Sequence, residues 1–238
     1  MARGGADRVR GVEALARVAL YWAPAVDDPL HRLGSAWLGR DAETGAALAQ
    51  PAIPGLDLPA LTADPRRYGL HATLKPPFHL TGGYAAMRAD AEALAAELAP
   101  FDLPPLEVAS LDGFLALREA APCPALHAMA DACVRRLDAH RRPPDMAEII
   151  RRRPERLSPA GRENLRLWGY PGVFGEWRFH VTLTHRLTPG QEALVRPVAT
   201  DMLGEAASRP RRVAELCLFT QAAPGEPFLV AERLPLGG

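Results

Sequence analysis

The stretch RYGLHATLKPPFHL, residues 67–80, carries two of the chain's seven histidines and its one lysine; elsewhere basic charge is written as Arg. Read as a β-strand, its period of two sets Gly69, His71, Thr73 and Lys75 on one face and Leu70, Ala72 and Leu74 on the other. Side chains two apart on one face are about 7 Å apart. The polar face is therefore a ladder of imidazole, hydroxyl and ammonium. A second stretch, EWRFHVTLTHRL (176–187), repeats the pattern. Trp177, Phe179, Val181 and Leu183 fall on an apolar face. Arg178, His180, Thr182 and Thr184 fall on a polar face that has no carboxylate.

The two stretches open similar strings of elements. After HATL, the spacing of Met87, Ala91, Leu94, Ala95 and Leu98 predicts a helix over Tyr84–Leu98. Strands then fit Leu106–Leu111 and Phe114–Arg118, with Asp112-Gly113 as the hairpin signal. After HVTL, a helix fits Gln191–Glu205 and strands fit Arg212–Gln221 and Pro227–Arg233, joined by AAPGE. The recurrence predicts an α+β fold of two lobes related by a pseudo-two-fold. Each lobe has a mainly antiparallel sheet backed by helices, and the lobes flank a central groove.

Around this frame, a strand fits Val18–Trp22 and a helix fits Leu30–Leu38, with Asp28 as its cap and Pro29 in its first turn. Residues 41–65 read as a long connection with a helical turn, and a further helix fits Pro124–His140. Residues 141–175, rich in Pro and Arg, read as an inter-lobe insertion. It has short helices near Asp145–Arg152 and Pro159–Leu167, the second capped by Ser158. The first 14 residues read as a tail, and the whole chain as one bilobal domain.

Composition narrows the classes. The chain has 238 residues, 48% hydrophobic and 24% charged, enough for a sizeable core. Lys+Arg and Asp+Glu are each 28, so the net charge is zero. An extended nucleic-acid track needs a broad positive field and stacking rings. Neutrality and 6% aromatic content weigh against one. Cys123, Cys133 and Cys217 form no CxxC pair and read as small buried residues in a reducing compartment. No apolar run reaches the ~18 residues of a membrane span, and the N-terminus lacks a clear cleavage site, so the expectation is a cytoplasmic protein without a membrane partner.

If both ladders face one groove, it holds two imidazoles, two threonine hydroxyls and a cation. That set suits a phosphodiester. One imidazole can take a proton from water while the other gives one to the leaving alkoxide, and free imidazole titrates near 6.5. Thr73 and Thr182 can donate to the non-bridging oxygens, with Lys75 and Arg178 neutralising the phosphate and Thr184 extending the polar face. The scheme needs no cofactor. A metal site fits less well. His180 and His185 are five apart, so a strand points them to opposite faces, and no H-E-x-x-H helix is present.

The paired HATL and HVTL resemble the two H-x-T-hydrophobic signatures of the two-histidine (2H) phosphoesterase superfamily. The resemblance implies a bilobal, metal-independent enzyme. His71 and His180 match its catalytic histidines, and Thr73 and Thr182 its phosphate-binding hydroxyls. A longer likeness covers ALYWAPAVDDPLHRLGSAWLGRD (19–41), RRYGLHATLKPPFHL (66–80), LRLWGYPGVFGEWRFHVTLTHRL (165–187) and the terminal strand pair. These segments resemble a bacterial branch associated with phosphonate metabolism and the carbon–phosphorus lyase pathway. That association implies a small-molecule substrate, a ribosyl cyclic phosphate. The branch has Arg where this chain has His79, so any phosphate contact there requires protonated histidine.

Other residues carry two readings each. Lys75 is a groove cation or a sheet-edge lysine. Tyr68 and Tyr170 stack on a substrate or anchor core and loop. The cluster RRRPER (151–156) is a solvated helix face or a lid over an anion. His31, His127 and His140 fall in helical segments and read as structural or surface residues. Two alternatives to the small-molecule enzyme stand beside it: the same chemistry on RNA 2′,3′-cyclic ends, and a non-catalytic binder of a nucleotide or sugar phosphate. Oligomeric state is not encoded legibly.

Overall fold

Strand β1 (Arg17–Trp22) is apolar on both faces from Val18 onward, and the fold uses it accordingly. In the computed structural model, which describes residues 17–238, β1 lies inside a seven-stranded sheet. The expected tail at residues 1–14 lies outside the described residues. Strand β2 (Ala72–Phe78) flanks β1 on one side and β8 (Glu215–Gln221) on the other, both antiparallel. Beyond β8 lies β9 (Leu229–Pro235). On the other flank, β2 meets the short β6 (Val181–Thr182), which meets β5 (Phe114–Glu119) and then β4 (Leu106–Leu111). The order is β4-β5-β6-β2-β1-β8-β9. Strands β3 (Phe101–Leu103) and β7 (Arg211–Val213) pair separately.

The expected recurrence of elements is visible. β2 is followed by helix α4 (Tyr84–Glu97), β3, β4 and β5; β6 is followed by helix α8 (Pro189–Ser208), β7, β8 and β9. The equivalent strands β3 and β7 pair with each other. The half-sheets β4-β5-β6 and β2-β1-β8-β9 meet edge to edge, and one rung, Ala72–Val181, joins them.

Local chemistry sets the remaining elements. Helix α1 (Pro29–Leu38) starts where the Asp28 carboxylate accepts the Leu30 N–H at 2.8 Å and stops at Gly39, whose φ is +80°. The long connection holds two short helices, α2 (Leu58–Leu61), capped by Asp57, and α3 (Ala63–Tyr68). Helix α5 (Pro124–Arg136) ends sooner than expected, and a 3₁₀ turn covers Asp138–His140. The insertion carries α6 (Met146–Arg151), whose Asp145 and Glu148 form a reciprocal capping box, and α7 (Pro159–Trp168), capped by Ser158.

Two expectations need correction. The strand expected over residues 176–187 forms a ladder only at Val181–Thr182, and Phe174–Glu176 is a 3₁₀ turn. The alternation of burial still holds, with Trp177, Phe179, Val181 and Leu183 buried. Indole N–H groups fasten this segment where ladder bonds are missing: Trp177 donates to the Thr73 carbonyl at 2.8 Å and Trp37 to the Leu183 carbonyl at 3.0 Å. The second correction concerns Lys75. β2 pairs Tyr21 with Thr73 but Leu20 with Lys75, so a bulge puts Lys75 one step out of register. Pro76 and Pro77 follow at once and cannot donate to a ladder.

The sheet thus has two distinct faces. Leu20, Trp22, Ala72, Leu74, Leu115, Leu117, Val181 and Leu218 face the helices and form the main core. Ala19, Tyr21, Cys217, Phe219 and Val230 face the opposite way in a smaller cluster with Phe228 and Tyr68. The three cysteines are buried and unpaired. Among the described residues, no helix is long and apolar enough to cross a membrane.

Candidate active site

The rung between Ala72 and Val181 fixes the geometry of the two His–Thr pairs. Antiparallel register continued one residue each way sets His71 across from Thr182 and Thr73 across from His180. All four side chains then leave the sheet on the face opposite the main core. The two histidines are diagonal neighbours, about 7–8 Å apart along the sheet.

Each imidazole is oriented by main chain. His71 Nδ1 lies 2.9 Å from the Gly69 carbonyl and His180 Nδ1 lies 2.8 Å from the Arg178 carbonyl. A carbonyl only accepts, so each Nδ1 carries the hydrogen and each neutral ring presents Nε2 as its lone pair. The His71 Nε2 is 3.4 Å from the Thr73 hydroxyl.

Gly69 makes the first of these bonds feasible. Its φ of +83° is a glycine conformation, and a Cβ there would sit 2.5 Å from the Ala42 Cβ. Arg40 secures the neighbourhood by donating to the carbonyls of Arg66, Arg67 and Phe228.

The surroundings of the histidines are aromatic. The ring of Tyr21, buried in the sheet, lies 3.9 Å from that of His71, with Tyr68 at 5.8 Å and Phe219 at 6.2 Å. Tyr68 also stacks on Phe228 at 5.3 Å. Phe114 presents an edge to His180 at 5.8 Å. A cleft of ≈ 310 Å³ is lined by Tyr68, His71, Phe114, Thr182 and Thr184, among others.

Burial pushes the His71 pKa down to about 4, against a partial lift from the Gly69 carbonyl, and the nearby His180 lowers it further. His180 is also lowered, first by burial; Arg178 and Arg118 add to this, while the Arg178 carbonyl and Glu119 oppose it. Both rings are therefore neutral near pH 7. Burial likewise holds the Tyr21 phenol well above its ordinary value, with Tyr68 and Tyr170 reinforcing the shift and Arg17 opposing it.

The other expected site residues separate. Lys75 does not join the groove. It is buried on the helix side, where Nζ donates to the Val134 carbonyl at 3.2 Å and meets Asp138 at 3.4 Å. Burial brings its pKa down to about 8. Arg178 reaches Asp112 in the β4–β5 turn at 2.5 Å, an exposed pair. Thr184 lines the cleft, but its hydroxyl accepts the Leu115 N–H at 3.0 Å. His79 lies in a different cavity, 3.7 Å from Glu148. Tyr170 sits beneath the Arg152 guanidinium at 4.5 Å. Among the described residues, no three His, Cys, Asp or Glu side chains gather as metal ligands.

Two residues at the site were not singled out from sequence. One is Tyr21, since a strand apolar on both faces gives no parity signal. The other is Arg118. β5 pairs with β6 through Ala116–Thr182 and Leu117–Val181, and the next step sets Arg118 across from His180. Its Nε is buried without a hydrogen-bond partner. The alternation in FLALRE carried that signal, but the neighbouring strand did not show in the sequence.

Residues 73–229 match a family model described as "Protein of unknown function (DUF1045)". Over 235 residues the chain is 35% identical to a ribose 1,5-bisphosphate phosphokinase PhnN of Janthinobacterium sp. (strain Marseille), covering 95% of this chain and 52% of that protein. Over 173 residues it is 38% identical to the PhnN of Laribacter hongkongensis (strain HLHK9), covering 72% and 40%. The chain thus spans about half the length, or less, of these curated relatives. Among solved structures, a phosphoesterase overlaps 94% of the chain and 99% of its own at 13% identity and a TM-score of 0.43. E. coli LigT with 3′-AMP overlaps 93% and 98% at 15% identity and a TM-score of 0.40.

Proposed function

The chain belongs to the DUF1045 family of proteins of unknown function, and we propose that it is a phosphodiesterase opening a small cyclic phosphodiester by paired histidine catalysis, without a metal ion. One observation carries the reading: two imidazoles, each held in the same tautomer by a main-chain carbonyl, offer Nε2 on one face of the sheet beside two threonine hydroxyls.

In the proposed step, water attacks phosphorus and one imidazole takes its proton at Nε2. The bond from phosphorus to one ring oxygen breaks, and the second imidazole, entering protonated, gives its Nε2 proton to that alkoxide. The product is a phosphomonoester with a free hydroxyl. Thr73 and Thr182 donate to the non-bridging oxygens, and Arg118 supplies a cation beside His180. We assign His71 as base, because it is packed by Tyr21, Tyr68 and Phe219 and its pKa is the more strongly lowered. His180, with one aromatic neighbour, is the acid.

For the substrate, the names of the relatives support a ribose phosphate, here as a ribosyl cyclic phosphate in phosphonate metabolism. Their kinase activity is not proposed for this chain, whose one lysine lies in LKPP rather than in a G-x-x-x-x-G-K phosphate loop. The test is hydrolysis of ribosyl 1,2-cyclic and nucleoside 2′,3′-cyclic phosphates in excess chelator. Turnover lowered by about a hundredfold or more in His71→Ala and in His180→Ala, with binding retained, supports the enzyme over a binder. Full activity of either variant contradicts it.

A further inference from the structure

A second cavity, of ≈ 280 Å³, is lined by Arg17, His79, Arg141, Arg142, Arg151 and Arg152, with Glu148 as its one carboxylate among the described residues. Glu148 is already engaged: it accepts the Asp145 N–H and lies 3.7 Å from His79 and 4.0 Å from Arg142. Among the described residues, no carboxylate pairs with Arg17, Arg151 or Arg152. Arg141 is a built element of the wall. Asp138 holds it at 2.7 Å and 3.1 Å and the Leu167 carbonyl accepts from it at 3.1 Å, yet its Nη1 is buried without a partner. Gly169, at φ +72°, lets it lie there, since a Cβ would stand 2.8 Å from that nitrogen.

The cavity shares no lining residue with the histidine cleft, but a chain of side-chain contacts links the two. Arg17 shares β1 with Tyr21 and, four residues away, lies on the same face. Its guanidinium stands 5.3 Å from the Phe228 ring, which is 6.4 Å from Tyr21, itself 3.9 Å from His71. Tyr170, next to Gly169, lies under Arg152 and within electrostatic reach of the Tyr21 phenol.

We infer that the arginine cavity is a second anion subsite, and that the substrate carries a phosphomonoester on the order of 10 Å from the scissile phosphodiester. A monoester is close to doubly charged at neutral pH, whereas a diester carries one charge. Several guanidiniums around one cavity match the dianion, each able to donate two N–H groups to it. The substrate part of this inference rests on the proposed phosphodiesterase; the anion subsite does not.

The experiment has two arms. In the first, ribose 5-phosphate, which has no phosphodiester, is titrated calorimetrically into wild type, His71→Ala and Arg142→Ala/Arg152→Ala. Equal binding to the first two and at least tenfold weaker binding to the third, with an unchanged melting temperature, is expected. Binding that survives the arginine changes overturns the subsite. In the second, adenosine 2′,3′-cyclic phosphate is compared with its 5′-phosphorylated form. At least tenfold higher kcat/KM for the latter, lost in the double variant, is expected. Equal rates overturn the substrate assignment. So does a preference for a dinucleotide with a terminal cyclic phosphate, which points to RNA ends, and so does non-competitive inhibition by inorganic phosphate, which points to an effector site. If neither cyclic phosphate turns over while arginine-dependent binding persists, the phosphodiesterase reading and the substrate assignment fall together and the anion subsite stands.

Discussion

His71 and His180 make the same hydrogen bond: each Nδ1 donates to the carbonyl two residues upstream, Gly69 at 2.9 Å and Arg178 at 2.8 Å. The flanking sequences differ, YGLH against WRFH, yet both arrive at one tautomer. A neutral carbonyl orients the ring without stabilising the imidazolium as a carboxylate does, so both rings remain free to change charge during a reaction.

Loss of either imidazole is expected to lower kcat by about 10²–10⁴, with the double variant little worse than the singles. The roles separate by leaving group. An activated p-nitrophenyl diester departs without a proton, so it should restore much of the rate to His180→Ala and little to His71→Ala. Steady-state kinetics on both substrates checks this, and rescue of His71→Ala instead would exchange the two assignments.

The pH dependence follows from the lowered pKa values. His71, pushed to about 4, is already unprotonated above pH 5, so it sets the acidic limb. In the proposed acid role His180 must be protonated, and burial makes that state scarcer as pH rises. The expected kcat/KM therefore falls from pH 6 to pH 8, by about tenfold per unit on the descending limb. A rise over that range would contradict the assignment. Stability moves the other way. A histidine with a folded pKa below its unfolded value is stabilised above about pH 6.5, and that contribution is lost as pH falls toward 4. Melting temperature should drop between pH 7 and pH 4.5, and less so in His71→Gln.

Gly69→Ala is expected to cost about 1–3 kcal/mol of stability, from backbone strain at φ +83° and the approach to Ala42. Because the Gly69 carbonyl orients His71, kcat should fall more than KM changes. Denaturant unfolding together with kinetics reads both effects.

Arg118→Ala should reduce kcat/KM by about 10–100-fold, with partial recovery in Arg118→Lys. Lys75→Met should leave KM within about twofold, since Lys75 faces Asp138 and the Val134 carbonyl, not the groove. A large KM increase in Lys75→Met with an intact melting curve would return Lys75 to the site.

Much of this was legible in residues that alternate. WRFHVTLT reports its two faces through burial even though only two of its residues form a ladder. The recurrence of H-x-T-L before helix, strand and strand also showed in the order of elements. Lys75 misled because parity holds only for a regular strand, although the two prolines beside it were the warning of a bulge. Tyr21 and Arg17 gave no signal, since β1 is packed on both sides. Which strand lies beside β6 is a long-range fact, and so the nearness of Arg118 to His180 required the fold.

The main-chain anchoring of the two imidazoles has a thermodynamic corollary. Carbonyls orient both rings, and burial outweighs the opposing pull of Glu119 on His180, so neither ring holds a proton near neutral pH. If the ligand is the proposed phosphodiester, its anion supplies negative charge beside the rings, and its association should be coupled to proton uptake from bulk solvent. The apparent binding enthalpy will then depend on the ionisation heat of the buffer. Under the proposed mechanism, the proton delivered to the leaving oxygen should enter together with the substrate, leaving the resting protein discharged between turnovers.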